Sequence, residues 1–239
     1  AIVKLSDDTK VWLNAGSRMW YSSEYAVNNR DIRLEGEAYF EIESDSKLPF
    51  RVHSSDVTVE ALGTSFNIKA YPEECIVETT LVSGLAKIEM ETKKGVREHF
   101  ILKPNQKASI SLVDMLAETS YLPEKEKEAI PEEKEKVYEE RIKQEGLASL
   151  DAKPVIRNVD TRLYTSWIGG RLVFEREKIS DLAVKLSRMY DVEFVFIDEE
   201  VKDYRLTGTV EQETLELLLM VIRQTIPMDF KIDKQQVRI

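Results

Sequence analysis

Apolar and polar residues alternate along residues 32–43 of the chain, and this is the clearest pattern in the sequence. Even positions are small or apolar, whereas odd positions are mostly charged. A period of two places successive side chains on opposite faces of a strand, so one face is dry and the other wet. The dry face contains Gly36, which has no side chain to pack. We therefore predict that another backbone approaches the strand closely at this glycine.

Two further strands follow, and the alternation changes phase after the second of them. Phe50 begins one strand, and apolar residues at 57, 59 and 61 mark the next. From residue 66 onward, however, the apolar residues occupy even positions. Residues 62–65 must absorb this change, and we predict a bulge or sharp bend there with Gly63 in an unusual backbone conformation.

Short strands also surround this central stretch, at the spacing typical of all-β proteins. They are predicted within a hairpin over residues 2–13 and over residues 75–82, 85–91, 96–102 and 108–112. Roughly ten short strands predict an all-β sandwich, roll or solenoid, and the pattern leaves the choice among the three open. We assign residues 1–115 to this N-terminal domain.

The composition changes sharply after the last of these strands. Residues 123–145 contain nine Glu, five Lys and one Arg, with few apolar residues and no strand pattern. A thin apolar stripe predicts one helix in part of this segment. We therefore predict a charged, partly helical linker over residues 116–160.

The remaining residues, 161–239, contain an internal repeat with an offset of 36. Ile179 corresponds to Leu215, and Leu182 corresponds to Leu218; each copy is predicted as strand, amphipathic helix and strand. Two such βαβ-type units predict a small α/β domain in which one sheet is covered by two helices. The chain is therefore predicted to be multidomain.

Charge and composition exclude several kinds of partner. The chain has 34 Lys and Arg against 44 Asp and Glu, a formal net charge of −10, without a basic cluster. This balance argues against nucleic-acid binding and against docking on anionic lipid. Its single cysteine, Cys75, is expected to be a half-buried thiol in a strand. No stretch reaches the ~20 apolar residues that span a bilayer, and no signal peptide is visible.

The motifs of catalysis are absent from the sequence. It lacks a nucleophile elbow, a glycine-rich phosphate loop and a zinc-binding H-E-x-x-H. Its two histidines, His53 and His99, are 46 residues apart, so we expect neither a metal site nor a cofactor. Glu37 is the most distinctive carboxylate, and structural pairing with Arg30 or Arg33 is the favoured interpretation. We predict no enzymatic activity.

The order and spacing of several motifs resemble those of FecR-type regulators. The stretches are R-x-I-x-L-x-G-E-A-Y-F-E-I from Arg30, P-F-x-V from Pro49 and A-L-G-T-x-F-N-I from Ala61. A fourth stretch, W-x-x-G-x-L-x-F from Trp167, resembles the domain that follows FecR in Bacteroidetes-type regulators. We expect structural roles for the residues that carry these motifs: Arg30, Gly36, Glu37, Ala38, Phe40, Pro49, Phe50, Gly63, Thr64, Phe66, Asn67, Trp167, Gly170 and Phe174.

The resemblance implies the periplasmic part of a membrane anti-sigma factor. Such a part senses the periplasmic signalling domain of a TonB-dependent outer-membrane receptor, and the signal passes inward to an extracytoplasmic-function sigma factor. The sigma-binding cytoplasmic segment and a transmembrane helix would then lie outside this chain. The second domain is similar to the short N-terminal domain of secretins and TonB-dependent receptors.

A partner is expected to dock at the edge of the small sheet, where backbone groups are unpaired. We predict that residues 204–210 form this edge strand, with docking residues Tyr204, Leu206, Thr207, Gly208 and Val210. The alternative function is a carbohydrate-binding or glycan-processing β-sandwich, for which Trp20, Tyr21 and Tyr39 would line a groove. A structural envelope component without a specific soluble partner is a third possibility.

Overall fold

A computed structural model describes residues 1–91, 97–112, 155–211 and 213–239 of the chain. The chain divides into two compact units, Ala1–Thr161 and Arg162–Ile239. The predicted linker falls mainly on residues 113–154, which lie outside the described residues.

Almost all the described residues of the first unit belong to strands and turns. The strands are β1 (Ile2–Lys4), β2 (Lys10–Leu13), β3 (Arg18–Tyr21), β4 (Arg30–Glu41), β5 (Phe50–Ser54), β6 (Val57–Ala61), β7 (Ser65–Ala70), β8 (Ile76–Ser83), β9 (Ala86–Glu91), β10 (Arg97–Leu102), β11 (Gln106–Ser111) and β12 (Val155–Asn158). A short 3₁₀ turn, Pro72–Glu74, connects β7 to β8.

The twelve strands form one hydrogen-bonded sheet, in which β4 is the shared strand. The order along the sheet is β10-β9-β6-β5-β4-β7-β8-β11-β12, and β1, β2 and β3 attach near β4. The first half of β4 pairs with β3 and β5, and its second half pairs with β2 and β7. The sheet therefore curls around its own core as a half-barrel. The mostly β prediction for this part of the chain is confirmed.

Gly36 lies where β4 passes from one half of the sheet to the other. It has a φ of +104°, and a Cβ atom placed there would lie only 2.7 Å from the Cα atom of Ser17. The Ser17 hydroxyl donates to the carbonyl of Glu37 at 2.9 Å and accepts from its N–H at 2.8 Å. The predicted close approach of a second backbone is confirmed, since only glycine fits this contact.

Gly63 lies where the chain crosses between the two halves of the sheet. β6 pairs with β5 and β9, whereas β7 pairs with β4 and β8. The predicted unusual backbone at Gly63 is confirmed by a φ of +99°, and a Cβ atom would lie 2.8 Å from that of Ser44. The phase change in the sequence therefore marks a crossing between sheet halves.

The core of the first unit lies inside the curl. The even-numbered residues of β4 are buried, as the alternation predicts. Phe40 is the centre of an aromatic cluster, stacked on Phe66 and edge-on to Phe50 at centroid distances of 5.2 and 5.6 Å. Phe40, Phe50 and Phe66 are all completely buried, so three predicted motif residues form the packing centre of this unit.

The second unit contains helices as well as strands. In chain order these are α1 (Arg162–Thr165), β13 (Leu172–Lys178), α2 (Ile179–Tyr190), β14 (Glu193–Val195), β15 (Arg205–Val210), α3 (Leu215–Thr225), β16 (Lys231–Asp233) and β17 (Gln236–Arg238). Two 3₁₀ turns, Ser166–Gly169 and Glu199–Asp203, precede β13 and β15. Buried residues of α2 and α3 pack with Phe174, Leu206 and Val237 in one core.

The strand pairing in this unit differs from the prediction of one sheet built from two βαβ units. In the described residues β13 pairs antiparallel with β15, while β17 lies between β14, to which it is parallel, and β16. Each sheet thus joins a strand of the first repeat to a strand of the second. The repeat predicts the elements, but the pairing depends on contacts between the two copies.

Two local predictions from the sequence were wrong. The range predicted as linker, 116–160, contains β12, which pairs with β11 and belongs to the first unit. Cys75 is exposed and follows the 3₁₀ turn with a φ of 52°, so it is not a half-buried strand residue.

Within the described ranges, no helix combines the length and apolar character needed to cross a membrane.

Candidate docking edge of the second unit

β15 is an edge strand of its two-stranded sheet. In the part of the second unit that the structure describes, it pairs with β13 alone, so its other side has no strand neighbour. Burial alternates along it: Leu206 and Val210 face the core, whereas Thr207 and Thr209 are exposed. The edge therefore offers backbone groups together with hydroxyl side chains.

The predicted docking residues consequently divide into two sets. Leu206 and Val210 are 8% and 2% exposed and belong to the core, so their side chains are not available to a partner. Tyr204 is 41% exposed, Thr207 is exposed and Gly208 is half-buried. A partner at this edge would meet the backbone of β15 and the side chains of Tyr204, Thr207 and Thr209.

Gly208 is required by the ring of Phe174. The two residues are directly paired across β13 and β15. A Cβ atom at Gly208 would lie 3.0 Å from Cζ of the phenylalanine ring, which is tighter than most such contacts. Because Phe174 is only 6% exposed, the glycine allows this ring to cover the strand and enter the core.

A bulge in β13 is held by two side chains of β15. The pairing shifts register between Phe174 and Glu177, and Arg176 in the bulge has a φ of 49°. The N–H of Arg176 donates to the Thr207 hydroxyl at 2.9 Å, and the Arg205 guanidinium donates to the Arg176 carbonyl at 2.7 Å. These bonds satisfy the backbone groups that the bulge removes from the ladder.

An ion pair stabilises the start of the edge strand. Lys178 Nζ lies 2.6 Å from an oxygen of Asp203, and both side chains are well exposed. The hydrogen bond from Lys178 lowers the pKa of Asp203 below its ordinary value. The carbonyl of Tyr204 accepts from the N–H of Ile179, which connects the edge strand to the start of α2.

The remaining motif residues of this unit lie beside the sheet. The Trp167 indole N–H donates to the Tyr164 carbonyl at 3.1 Å. Gly170 follows the 3₁₀ turn with a φ of +73°, and a Cβ atom there would meet nothing within 4 Å. Gly170 is therefore needed for its backbone conformation rather than for space.

Arg30, the first motif residue of the first unit, forms a buried ion pair with Asp7. Arg30 is 2% exposed, and its guanidinium lies 2.5 Å from the Asp7 carboxylate. It also donates to the Thr9 hydroxyl and to the carbonyls of Leu48 and Glu43. The network joins the β1–β2 turn, the start of β4 and the 43–48 loop, so its role is structural.

The Tyr25 phenol completes this network. Its hydroxyl donates to Asp7 at 3.0 Å. Burial, followed by the charge of Asp7 and this hydrogen bond, raises the pKa of Tyr25 well above its usual range. Asp7 was not predicted from the sequence, although the Asp-x-Thr spacing, in which Asp7 accepts from the N–H of Thr9, is typical of a side-chain-capped turn.

The predicted pairing of Glu37 with Arg30 or Arg33 was wrong. Arg30 pairs with Asp7, and Arg33 pairs with Glu35 at 3.0 Å. The carboxylate of Glu37 instead accepts from the amides of Asn14 and Asn67 at 2.7 and 2.9 Å. Arg30 occupies an even position on the buried face of β4, whereas Glu37 occupies an odd position on the other face, so the prediction failed where it relied on sequence proximity.

The other motif residues of the first unit are buried. Ala38 is completely buried, Pro49 leads into β5 and Thr64 is 4% exposed with its carbonyl accepting from the N–H of Ile42. Asn67 is 2% exposed. The motif of the first unit therefore specifies how the sheet closes.

A buried ladder of charged residues was also missed by the sequence analysis. Glu60 and Lys87 are directly paired across β6 and β9 and are 1% and 0% exposed. Arg51 lies 2.8 Å from Glu60, and Lys87 lies 2.7 Å from Glu89. The alternation of polar and apolar residues predicts that these charged side chains face solvent. No signal in the sequence indicates that Glu60 and Lys87 are buried.

The aromatic groove required by the carbohydrate-binding alternative does not form from the three predicted residues. Trp20 and Tyr21 are neighbours on β3 and therefore point to opposite faces of the strand. Tyr39 is 8% exposed and contacts Trp12 edge-on at 5.6 Å. The Arg33 guanidinium lies over the ring of Trp20, at 5.6 Å from its centre.

Nothing in the described ranges provides a metal centre: no group of three or more His, Cys, Asp or Glu side chains is arranged to hold an ion. His53 Nδ1 lies 3.0 Å from the Thr58 hydroxyl across β5 and β6.

Comparison with known proteins identifies the family. Residues 1–87 match the model of the FecR protein, and residues 171–239 match that of the FecR C-terminal domain. Both matches agree with the motifs described above, and together they cover most of the chain. The chain belongs to the FecR family.

Solved structures agree with this assignment over the whole chain. Two crystal structures, at 1.65 and 2.50 Å resolution, of a proposed anti-sigma factor from Parabacteroides distasonis superpose with TM-scores of 0.73 and 0.72. Sequence identity is 25% and 26%, over 100% of this chain and 92% of the other. No curated protein sequence matches the chain.

Proposed function

We propose that this chain is the signal-receiving part of a FecR-type anti-sigma regulator. The observation that carries the proposal is the similarity of the entire chain to a proposed anti-sigma factor, with both FecR domains present in order. In this function the chain receives a signal from the periplasmic signalling domain of a TonB-dependent outer-membrane receptor. It relays the signal to an extracytoplasmic-function sigma factor.

The second unit is the proposed docking unit. Of the twelve large apolar side chains that are exposed among the described residues, four lie in the first unit and eight in the smaller second unit. The larger number of exposed apolar side chains in the second unit supports its assignment as the unit that binds a protein partner. The open edge of β15 would accept a strand of the receptor domain, with backbone hydrogen bonds giving affinity.

Binding is the proposed mode of action, without catalysis, and the periplasm is the proposed location. A docking function requires no nucleophile, no proton-transfer pair and no cofactor. The most distinctive charged groups of the first unit, Arg30 and Glu37, are engaged in structural hydrogen bonds. Their contacts support a role in holding the sheet closed.

The test is binding to the periplasmic signalling domains of TonB-dependent receptors from the same organism, measured by calorimetry and by hydrogen exchange. We expect one of these domains to bind and to slow amide exchange in residues 204–210 by at least about tenfold, because paired edge amides are protected. Thr209→Pro should abolish binding, since proline removes a backbone donor from an exposed position of the edge.

Thr209→Val is the matched control, because it keeps the backbone N–H and should bind like the natural chain. Thr207 is unsuitable for this substitution, since its hydroxyl supports the β13 bulge. Binding of no receptor domain would contradict the proposed function. Binding with protection elsewhere would retain the function and overturn the β15 edge as its site.

A further inference from the structure

Two cations face each other at the outer edge of the three-stranded sheet. Lys231 on β16 is directly opposite Arg238 on β17, and both side chains are exposed. In the part of the chain that the structure describes, neither forms an ion pair; Arg238 donates only to the neighbouring Gln236 amide oxygen at 3.0 Å. Like charges in directly opposite positions destabilise a sheet, so this arrangement is costly without an anion.

The carboxylates near this pair do not neutralise it. On the same face, Glu193 accepts from the Gln236 amide at 3.2 Å, and Asp233 lies two residues further along β16 from Lys231. Two other carboxylates line the adjoining groove: Asp229 pairs with Arg223 at 2.8 Å, and Asp198 accepts from the N–H of Glu200.

A groove lined by both apolar and charged side chains adjoins the two cations. It has a volume of about 820 Å³, and its lining includes Ile197, Val201, Pro227, Met228, Phe230 and Ile239 together with Lys231 and Arg238. Ile197 is 74% exposed at its rim, whereas Met228 is 7% exposed. The groove therefore offers apolar side chains beside Lys231 and Arg238, with Arg223, Asp198 and Asp229 also in its lining.

Among the described residues, no strand pairs with the outer side of the backbone beside the groove. β16 is the outer strand of its sheet, and all three of its residues are exposed. Ile232, on the face opposite to Lys231, is 36% exposed. An extended segment added along β16 would alternate its side chains between these two faces.

We propose that the edge of β16 and the adjoining groove bind an extended peptide segment of another protein, with acidic residues meeting Lys231 and Arg238 and apolar residues at alternate positions. Charge complementarity identifies this occupant, because the two cations stand out in a chain with a net charge of −10. Carboxylates of the peptide would relieve the cross-strand repulsion. The site is distinct from the β15 edge and does not depend on the proposed receptor.

The test uses a fluorescein-labelled hexapeptide of alternating Asp and Val, with its Asn and Val counterpart as the neutral control, in fluorescence anisotropy titrations. We expect the full chain to bind the Asp peptide at least about tenfold more tightly than the Asn peptide, with the difference falling as salt rises. Equal affinity for the two peptides would overturn the proposal.

Lys231→Glu is the decisive variant, since it converts the repulsive pair into an attractive one. We expect binding of the Asp peptide to weaken at least about tenfold while the melting temperature stays the same or rises. The matched control is Arg18→Glu, the same charge change at an exposed strand residue of the first unit; it should alter affinity less than about twofold.

Three further results separate this proposal from others. Retained affinity in Lys231→Glu would overturn it. Concentration-dependent dimerisation that Lys231→Glu abolishes would also overturn it, because the occupant would then be a second copy of the chain. Thr209→Pro should leave peptide affinity unchanged, so failure of receptor binding at β15 and failure of this site are distinguishable.

Discussion

The two units use the residues of their family motifs in different ways. In the first unit the motif is buried: Arg30 closes a network with Asp7, and Gly36 lets β4 pass against Ser17. In the second unit the motif residue Phe174 packs beside an open strand edge, where Gly208 accommodates its ring and Thr207 holds a bulge. A closed network resists change, whereas an open edge has unsatisfied backbone groups. The comparison therefore contrasts a buried, closed network with a strand edge that is open to solvent.

The largest effect is expected at the buried ion pair of the first unit. Arg30→Ala leaves Asp7 buried without its cation and should lower the free energy of unfolding by roughly 3–5 kcal/mol. Arg33→Ala is the control, because Arg33 is 70% exposed and should cost less than about 0.5 kcal/mol. Urea unfolding followed by circular dichroism measures both. Equal losses of unfolding free energy in Arg30→Ala and Arg33→Ala would show that the Arg30–Asp7 network does not stabilise the first unit more than an exposed arginine does.

A smaller but still large effect is expected at Gly36. Gly36→Ala combines a positive φ with contact to the Ser17 backbone and should cost more than about 2 kcal/mol. Gly170→Ala in the second unit has the positive φ alone and should cost about 1 kcal/mol. Thermal unfolding of the two variants tests whether close packing at Gly36 adds a stability cost to that of the positive φ. A smaller loss of stability for Gly36→Ala than for Gly170→Ala would contradict this expectation.

The smallest effect concerns Tyr25 and appears in alkaline solution. Because the folded state raises the pKa of Tyr25, its contribution to stability is complete below the ordinary tyrosine pKa of about 10 and is lost as the pH rises above it. Tyr25→Phe should cost about 1–2 kcal/mol at neutral pH through the lost bond to Asp7, and should flatten this alkaline decline.

Tyr190→Phe is the comparison variant for the alkaline experiment. The Tyr190 hydroxyl donates to the exposed carbonyl of Glu213 in the second unit, and burial raises the pKa of Tyr190. The substitution should change the alkaline slope less, because the Tyr190 hydroxyl is bonded to a backbone carbonyl, and the Glu213 carboxylate acts on it only through its charge. The measurement is urea unfolding at a series of pH values between about 8 and 11. If Tyr190→Phe altered the alkaline dependence of the unfolding free energy more than Tyr25→Phe does, the expected order of the two effects would be wrong.

The sequence by itself determined the strands and helices of this protein, because their periods are local properties. Alternation identified the faces of β4, the phase change identified the unusual backbone at Gly63, and helical spacing identified α2 and α3. The edge position of β15 was also predicted, since short polar strands with glycine are typical of sheet edges. These features depend on the order of neighbouring residues.

The tertiary structure alone decided which elements meet. Asp7 reaches Arg30 across 23 residues, Glu60 and Lys87 lie buried on a face with polar alternation, and β14 pairs with β17 of the other repeat. The same local pattern is compatible with many pairings, and the one adopted depends on how the whole sheet closes around its core. Burial of a charge likewise depends on what covers it. Only the assembled chain specifies this, because the covering residues are distant in sequence.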